Sequence, residues 1–191
     1  MSKKLGFALL TLIILSVGVA TAQFPTTATA EPGRAVFPIA LVIFGAALAV
    51  GLAGIGSAIG ISRPASMGLG AMQEDRALFL PSMVLAALPG TQGIYGFVVA
   101  FMALQSSGIM GASMPTLTLA QGWNFFFACL PIALAGFISA IYQGNVCASG
   151  VALAAKDKSQ WTRGMILGVF VEFYAILGFL ISLLILGKIA I

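Results

Sequence analysis

The stretch "GLAGIGSAIG" at residues 51–60 has a near copy, "ALAGFISAIY" at residues 133–142, which lies 82 positions later in the chain. The same offset aligns two further pairs without a gap: Glu74-Asp75-Arg76 with Lys156-Asp157-Lys158, and "IYGF" at Ile94 with "ILGF" at Ile176. A single ungapped offset over about 60 residues indicates a duplicated structural unit, because shared composition alone does not keep sequences in register.

The composition indicates that these repeated units lie in a membrane. Of the 191 residues, 60% are hydrophobic and 7% are charged, and the mean hydropathy is +1.10. This balance excludes an ordinary soluble domain and is typical of an integral membrane protein. The net charge of +4 comes from scattered Lys and Arg residues, which gives no sign of nucleic-acid binding.

Four hydrophobic segments each exceed the roughly 20 residues that a helix needs to cross the hydrocarbon. They occupy residues 38–61, 77–104, 123–146 and 164–189. We therefore predict an all-α integral membrane protein with four transmembrane helices, arranged as two tandem hairpins in parallel repeat. The first hairpin is expected at residues 38–104 and the second at 123–191, with a loop at 105–122 between them.

Residues 1–22 have the features of a signal peptide. Lys3 and Lys4 precede an apolar core, and "ATA" at residues 20–22 offers a small-residue cleavage site. A retained additional helix is the alternative interpretation. The following residues, 23–37, are expected to form a short tail outside the cytoplasm.

The distribution of basic residues predicts the orientation in the cell membrane. The loops expected at residues 62–76 and 156–163 carry Lys and Arg, whereas the loop at 105–122 carries no charge. The positive-inside rule places the two basic loops in the cytoplasm. Both ends of the mature chain and the uncharged loop are then extracytoplasmic.

The fourth predicted span contains one acid, Glu172, in "GVFVEFYAILGF" from Gly168. A carboxylate in hydrocarbon costs several kcal/mol if it is charged and has no partner, so it must be protonated, paired with a cation or open to water. No Lys or Arg lies near its depth in any predicted span. The counter-charge must therefore arrive from outside, as a proton or a metal cation.

The repeat predicts which groups lie level with Glu172. Its counterpart 82 positions earlier is Gly90, and Thr91 and Gln92 follow directly. Equivalent spans start from equivalent loops and run in the same direction, so these residues should share one depth. Gln143 should reach the same depth from the antiparallel third span.

These side chains offer oxygen ligands that carry a single negative charge in total. A hydroxyl, two amides and one carboxylate suit a monovalent cation such as Na⁺ better than Ca²⁺ or Zn²⁺. Pro89 should disrupt the second span and free the carbonyl groups of residues 85–88 as further ligands. Tyr95 is placed to donate a hydrogen bond to the carboxylate. Alternatively, Thr91 and the glutamines only hold helices together, and Glu172 is a protonated structural acid.

Other chemical sites find little support in the sequence. Cys129 and Cys147 both lie in apolar segments and are expected to be buried thiols, and the chain contains no histidine. We expect no resident cofactor and no transition-metal site. The glycines of residues 51–60 do not have dinucleotide-loop spacing, so we assign them, with Ser57 and Ala58, to a smooth helix face for close packing.

Three motifs carry a resemblance to a known family. They are "LPGTQGIYGF" at residues 88–97, "QGNV" at 143–146 and "VEFYAILGF" at 171–179. They closely resemble the duplicated-hairpin proteolipid, subunit K or c, of V-type (V/A-type) ATPases. The resemblance implies a homo-oligomeric rotor ring, with the first and third spans inside and the second and fourth outside. It also implies a stator subunit with an essential Arg. The loops expected at residues 62–76 and 156–163 are expected, from their exposure and charge, to contact central-stalk subunits.

The resemblance further implies roles for individual residues. In sodium-translocating relatives, the matching positions coordinate Na⁺ and Glu172 is the ion-translocating carboxylate; the ligands are Leu88 through its carbonyl, Thr91, Gln92, Gln143 and Glu172. The position of Tyr95 bonds the carboxylate. The chain is then an ion-translocating subunit, not itself an enzyme, and ATP chemistry belongs to other subunits. We favour Na⁺ over H⁺; a proton-specific rotor and a small ion-coupled secondary transporter remain the alternatives.

Overall fold

The computed structural model describes residues 36–189, which are almost entirely helical. The helices are α1 (Val36–Glu74), α2 (Phe79–Ala87), α3 (Thr91–Ser106), α4 (Leu119–Lys156) and α5 (Trp161–Leu186). Short 3₁₀ turns at Arg76–Leu78, Leu88–Gly90 and Lys158–Gln160 connect them. Within residues 36–189, four helical segments are long and apolar enough to cross a membrane, with α2 and α3 forming one of them. This confirms the predicted fold class.

The expected signal peptide lies outside the described residues, as does the expected tail up to residue 35.

The loops expected at residues 62–76 and 156–163 are much shorter than predicted. α1 continues to Glu74 and α4 to Lys156, so the chain reverses direction at Asp75 and Asp157. The prediction of the loop lengths was wrong because a fall in hydropathy indicates only where a helix can leave the hydrocarbon. The backbone hydrogen bonds of that helix can continue into the water beyond it. Pro64 lies within α1 and does not end it.

The two reversals have the same geometry, 82 residues apart. The Asp75 carboxylate accepts a hydrogen bond from the Ala77 amide at 2.9 Å, and the Asp157 carboxylate accepts one from the Ser159 amide at 2.9 Å. Lys158 forms an ion pair with Asp75 and so connects the two hairpins. This hydrogen-bonded pair holds the pKa of Asp75 below its usual range. The matching turns support the duplication read from the sequence.

Helices α1 and α4 approach each other closely at glycines. A Cβ atom at Gly56 would lie 2.7 Å from the Cα and 2.5 Å from the carbonyl oxygen of Phe137. A Cβ atom at Gly144 would lie 2.6 Å from the Cα of Gly60. Because lipid supplies no hydrophobic drive between helices, such close approach is a main source of attraction. Across this interface, the Arg63 guanidinium also donates a hydrogen bond to the Ile141 carbonyl at 2.9 Å.

Both cysteines of the chain lie in α4 as buried free thiols, as predicted. Cys129 packs in an apolar cluster with Val42 and Phe125. Cys147 packs near Leu85 in a second, smaller cluster.

Gly56→Ala should destabilise the protein, because its methyl group overlaps the backbone of α4. We expect the free energy of unfolding to fall by roughly 1–3 kcal/mol, the usual cost of overpacking. Gly51→Ala is the matched control, since no atom lies within 4 Å of a Cβ at Gly51. The measurement is thermal unfolding in detergent; equal melting temperatures for the two variants would contradict the packing described here.

Candidate ion-binding site

Glu172 lies in the middle of α5 and is buried, with 8% of its surface exposed. One carboxylate oxygen, Oε1, accepts hydrogen bonds from the Thr91 hydroxyl at 2.7 Å and the Tyr95 hydroxyl at 2.8 Å. The other, Oε2, accepts one from Nε2 of Gln143 at 3.3 Å. The carboxylate of α5 is therefore hydrogen-bonded to side chains of both α3 and α4.

The break between α2 and α3 places a backbone carbonyl beside the Thr91 hydroxyl, which bonds this carboxylate. Pro89 has no N–H to donate, and residues Leu88–Gly90 form a 3₁₀ turn. The carbonyl oxygen of Leu88 lies 3.0 Å from Oγ1 of Thr91. Oε1 of Gln92 lies 3.3 Å from the same hydroxyl oxygen. One hydroxyl proton cannot serve three acceptors at once, so the site has an excess of oxygen lone pairs.

Two fully buried glutamines close the inner side of the site. Nε2 of Gln92 donates to Oε1 of Gln143 at 2.6 Å. Nε2 of Gln143 donates in turn to the carbonyl oxygen of Gly168 at 3.1 Å, one turn before Glu172 on α5. The amide nitrogen of Gln143 thus faces the carboxylate, and half a rotation of that amide would place its oxygen there instead.

The structure brings together all the residues that the sequence suggested for the site. Thr91, Gln92, Gln143 and Glu172 form one connected hydrogen-bond network, with Tyr95 and the Leu88 carbonyl at its edge.

Two contributors were not predicted from the sequence. The carbonyl of Gly168 is a backbone group without a residue-specific signal. Ser57, which we assigned to packing, accepts a hydrogen bond from the Gly93 amide at 2.8 Å. The signal for it was present: a proline break leaves helix amides without partners, and a buried serine lies nearby on α1.

A family comparison matches both hairpins separately. The family of the ATP synthase C subunit matches residues 44–103 and again residues 126–185. The two matched segments are offset by 82 residues, the same spacing as the internal repeat. The duplication is thus visible in the family match as well as in the turns.

Curated relatives agree with this match. The chain is 43% identical over 133 residues to V-type sodium ATPase subunit K of Enterococcus hirae, covering 69% of this chain and 80% of that protein. It is 39% identical over 149 residues to A-type ATP synthase subunit K of Methanocaldococcus jannaschii, covering 78% of this chain and 63% of that protein. It is 26% identical over 159 residues to the 16 kDa proteolipid of the V-type proton ATPase of Nephrops norvegicus, covering 83% and 97% respectively. The motifs, the duplicated helical hairpin and these matches together place the chain in the family of the ATP synthase C subunit.

Proposed function

We propose that this chain is the rotor-ring subunit of a V-type (V/A-type) ATPase and that it carries Na⁺ across the membrane on Glu172. The observation that carries the proposal is the cluster of oxygens around the Thr91 hydroxyl. The Leu88 carbonyl, the Gln92 amide and the Glu172 carboxylate all lie within 3.3 Å of it. The sodium ATPase subunit named among the relatives supports the same assignment.

The donor set fits Na⁺ by charge and by hardness. One carboxylate balances one monovalent cation, and neutral hydroxyl, amide and carbonyl oxygens complete the shell without adding charge. Gln143 supplies a fifth oxygen when its amide turns, at the expense of its hydrogen bonds to Gly168 and Glu172 and of the bond it accepts from Gln92. The hydrogen bond from the Tyr95 hydroxyl keeps the carboxylate oriented in both positions of the Gln143 amide.

A proton-specific rotor is the second candidate, because a proton ATPase subunit also occurs among the relatives. A proton needs only the carboxylate oxygen to which it binds. A proton-binding site therefore does not require the Leu88 carbonyl, Thr91 and Gln92 to lie together within the membrane. Each polar group there costs free energy unless it has a partner. We therefore favour sodium.

Transport follows from the electrostatics of a buried acid. With the cation bound, the site is neutral and can pass the lipid at low cost; without it, the carboxylate needs another positive charge. We assign that charge to an arginine of a stator subunit. Arg63 of this chain is not available, because its guanidinium bonds Ile141 and Asn145 within the chain. Each Na⁺ moved down a potential of 100 mV supplies about 2.3 kcal/mol, which the complex couples to ATP hydrolysis or synthesis in other subunits.

The ring arrangement we propose places α1 and α4 on the inside and α3 and α5 on the outside. The closely packed glycine interface suits the crowded inner layer. The outward face of α5 carries exposed apolar side chains: Phe170, Phe173, Leu177, Leu180, Ile181 and Leu184. This surface suits lipid or a neighbouring copy.

The Asp75 and Asp157 turns are proposed to face the cytoplasm and to contact central-stalk subunits. Glu74 and Arg76 are exposed beside the first turn and are available for such contacts. Asp75 is less available, because it caps a turn and pairs with Lys158.

Dicyclohexylcarbodiimide should label the chain at Glu172, because the reagent reacts with a protonated carboxyl. Na⁺ should protect Glu172 from labelling, because the bound cation displaces the proton. Labelling of the membrane-bound complex is followed by mass spectrometry at fixed pH, with and without NaCl. Glu172→Gln is the control and should not be labelled within the spans. Labelling of the wild type that does not respond to Na⁺ would favour the proton rotor, and absence of labelling would contradict both candidates.

Thr91→Val should weaken Na⁺ protection, because it keeps the side-chain shape but removes the oxygen at the centre of the cluster. We expect the Na⁺ concentration for half-protection to rise on the order of tenfold or more, as for the loss of a metal-site group. Thr91→Ser keeps the oxygen and should stay near the wild type. A normal midpoint in Thr91→Val would remove Thr91 from the ligand set.

A further inference from the structure

We infer that Ser57 is a positioning residue for the ion site: its hydroxyl fixes the start of α3 and thereby the placement of Thr91 and Gln92. The inference rests on the function proposed above. Ser57 lies on α1 and touches none of the proposed ligands by a hydrogen bond of its own; it acts through the backbone of Gly93.

The start of α3 needs an outside partner. Gly90 precedes the helix and has no side chain to cap it, and the first amides of any helix have no partner within it. Of these, the Thr91 N–H already bonds the Leu88 carbonyl of the preceding 3₁₀ turn. Gly93 is the third residue of α3, a position whose amide is normally capped by a neighbouring side chain in the sequence. Here the cap comes from another helix, because Oγ of Ser57 accepts the Gly93 N–H at 2.8 Å.

The contact is close and leaves little freedom. Ser57 is 5% exposed. A Cβ atom at Gly93 would lie 3.3 Å from Oγ of Ser57 and 3.5 Å from the Cα of Gly54, so glycine is what allows the approach. Thr91 and Gln92 directly precede Gly93 in the first turn of α3. Fixing the Gly93 amide therefore fixes the backbone from which both ligand side chains project.

The second hairpin provides an internal comparison. The counterpart of Ser57 is Ser139, which is also 5% exposed but has no hydrogen-bond partner for its hydroxyl among the described residues. Val171 stands where the first hairpin has Pro89, and Ala175 where it has Gly93, both within the uninterrupted α5. An amide in mid-helix bonds its own helix and needs no cap. The serine is thus bonded in the hairpin where proline breaks the helix.

The test measures Na⁺ protection of Glu172 against dicyclohexylcarbodiimide in the membrane-bound complex, for Ser57→Ala and for Ser139→Ala as the matched control. We expect Ser57→Ala to raise the Na⁺ concentration for half-protection roughly tenfold, the lower end of the range for groups that orient metal ligands. Its labelling rate without Na⁺ should remain that of the wild type, which shows that the Glu172 carboxyl is still protonated and accessible to the reagent. Ser139→Ala should leave the midpoint unchanged.

Two further variants separate positioning from packing. Ser57→Thr keeps the hydroxyl and should restore the midpoint towards the wild-type value. Ser57→Cys fills a similar volume with a weak acceptor and should shift the midpoint in the same direction as alanine, which keeps the test informative if the alanine variant does not assemble.

The outcomes are distinct for this inference and for the proposed function. A wild-type complex that Na⁺ does not protect overturns the proposed function and this inference together. A protected wild type with an unchanged midpoint in Ser57→Ala, or with equal shifts in the Ser57 and Ser139 variants, overturns the inference alone.

Discussion

The Glu172 carboxylate is buried in a membrane-spanning helix, where an unpaired charge would cost several kcal/mol. This cost is offset by hydrogen bonds that two other helices donate to the carboxylate, from the hydroxyl groups of Thr91 and Tyr95 and the amide of Gln143. Glycines let α1 and α4 touch backbone to backbone, and Gly60 of this interface also packs against Pro89 at the break beside the site. At the Pro89 break, the Leu88 carbonyl accepts the Thr91 N–H and also lies 3.0 Å from the Thr91 hydroxyl, beside the site. Close packing and the broken helix thus both serve the acid.

The two hairpins show how a duplicated unit can divide one task. At equivalent positions the first has Gly90 and the second has Glu172, so a chain of two hairpins carries one carboxylate at this depth. The first hairpin instead carries Leu88, Thr91 and Gln92 with the proline break, whereas Gln143 belongs to the second hairpin. The turns have stayed alike, with Asp75 and Asp157 capping in the same way. The structural positions of the repeat have kept their roles while the site positions have diverged.

The sequence was sufficient for the number of spans, the register of the repeat and the shared depth of the polar groups, because each follows from hydropathy or from a fixed 82-residue offset. It could not locate the ends of α1 and α4, since nothing in hydropathy stops a helix outside the hydrocarbon. The proline break indicated that an amide after it needs a partner, but the sequence could not identify Ser57 as the partner of Gly93 or predict the direction of the Gln143 amide. Both depend on side-chain rotation against neighbours that are distant in sequence. The family match agrees with the repeat and with the motif-based resemblance.

Under the proposed function, each chain holds one Na⁺ at one carboxylate. This claim can be tested by equilibrium binding of radioactive sodium to the purified ring, at saturating concentration and known protein content. We expect one Na⁺ bound per copy of the chain, and none above background when Glu172 is replaced by glutamine. Two Na⁺ per chain, or no saturable binding in the wild type, would contradict the claim.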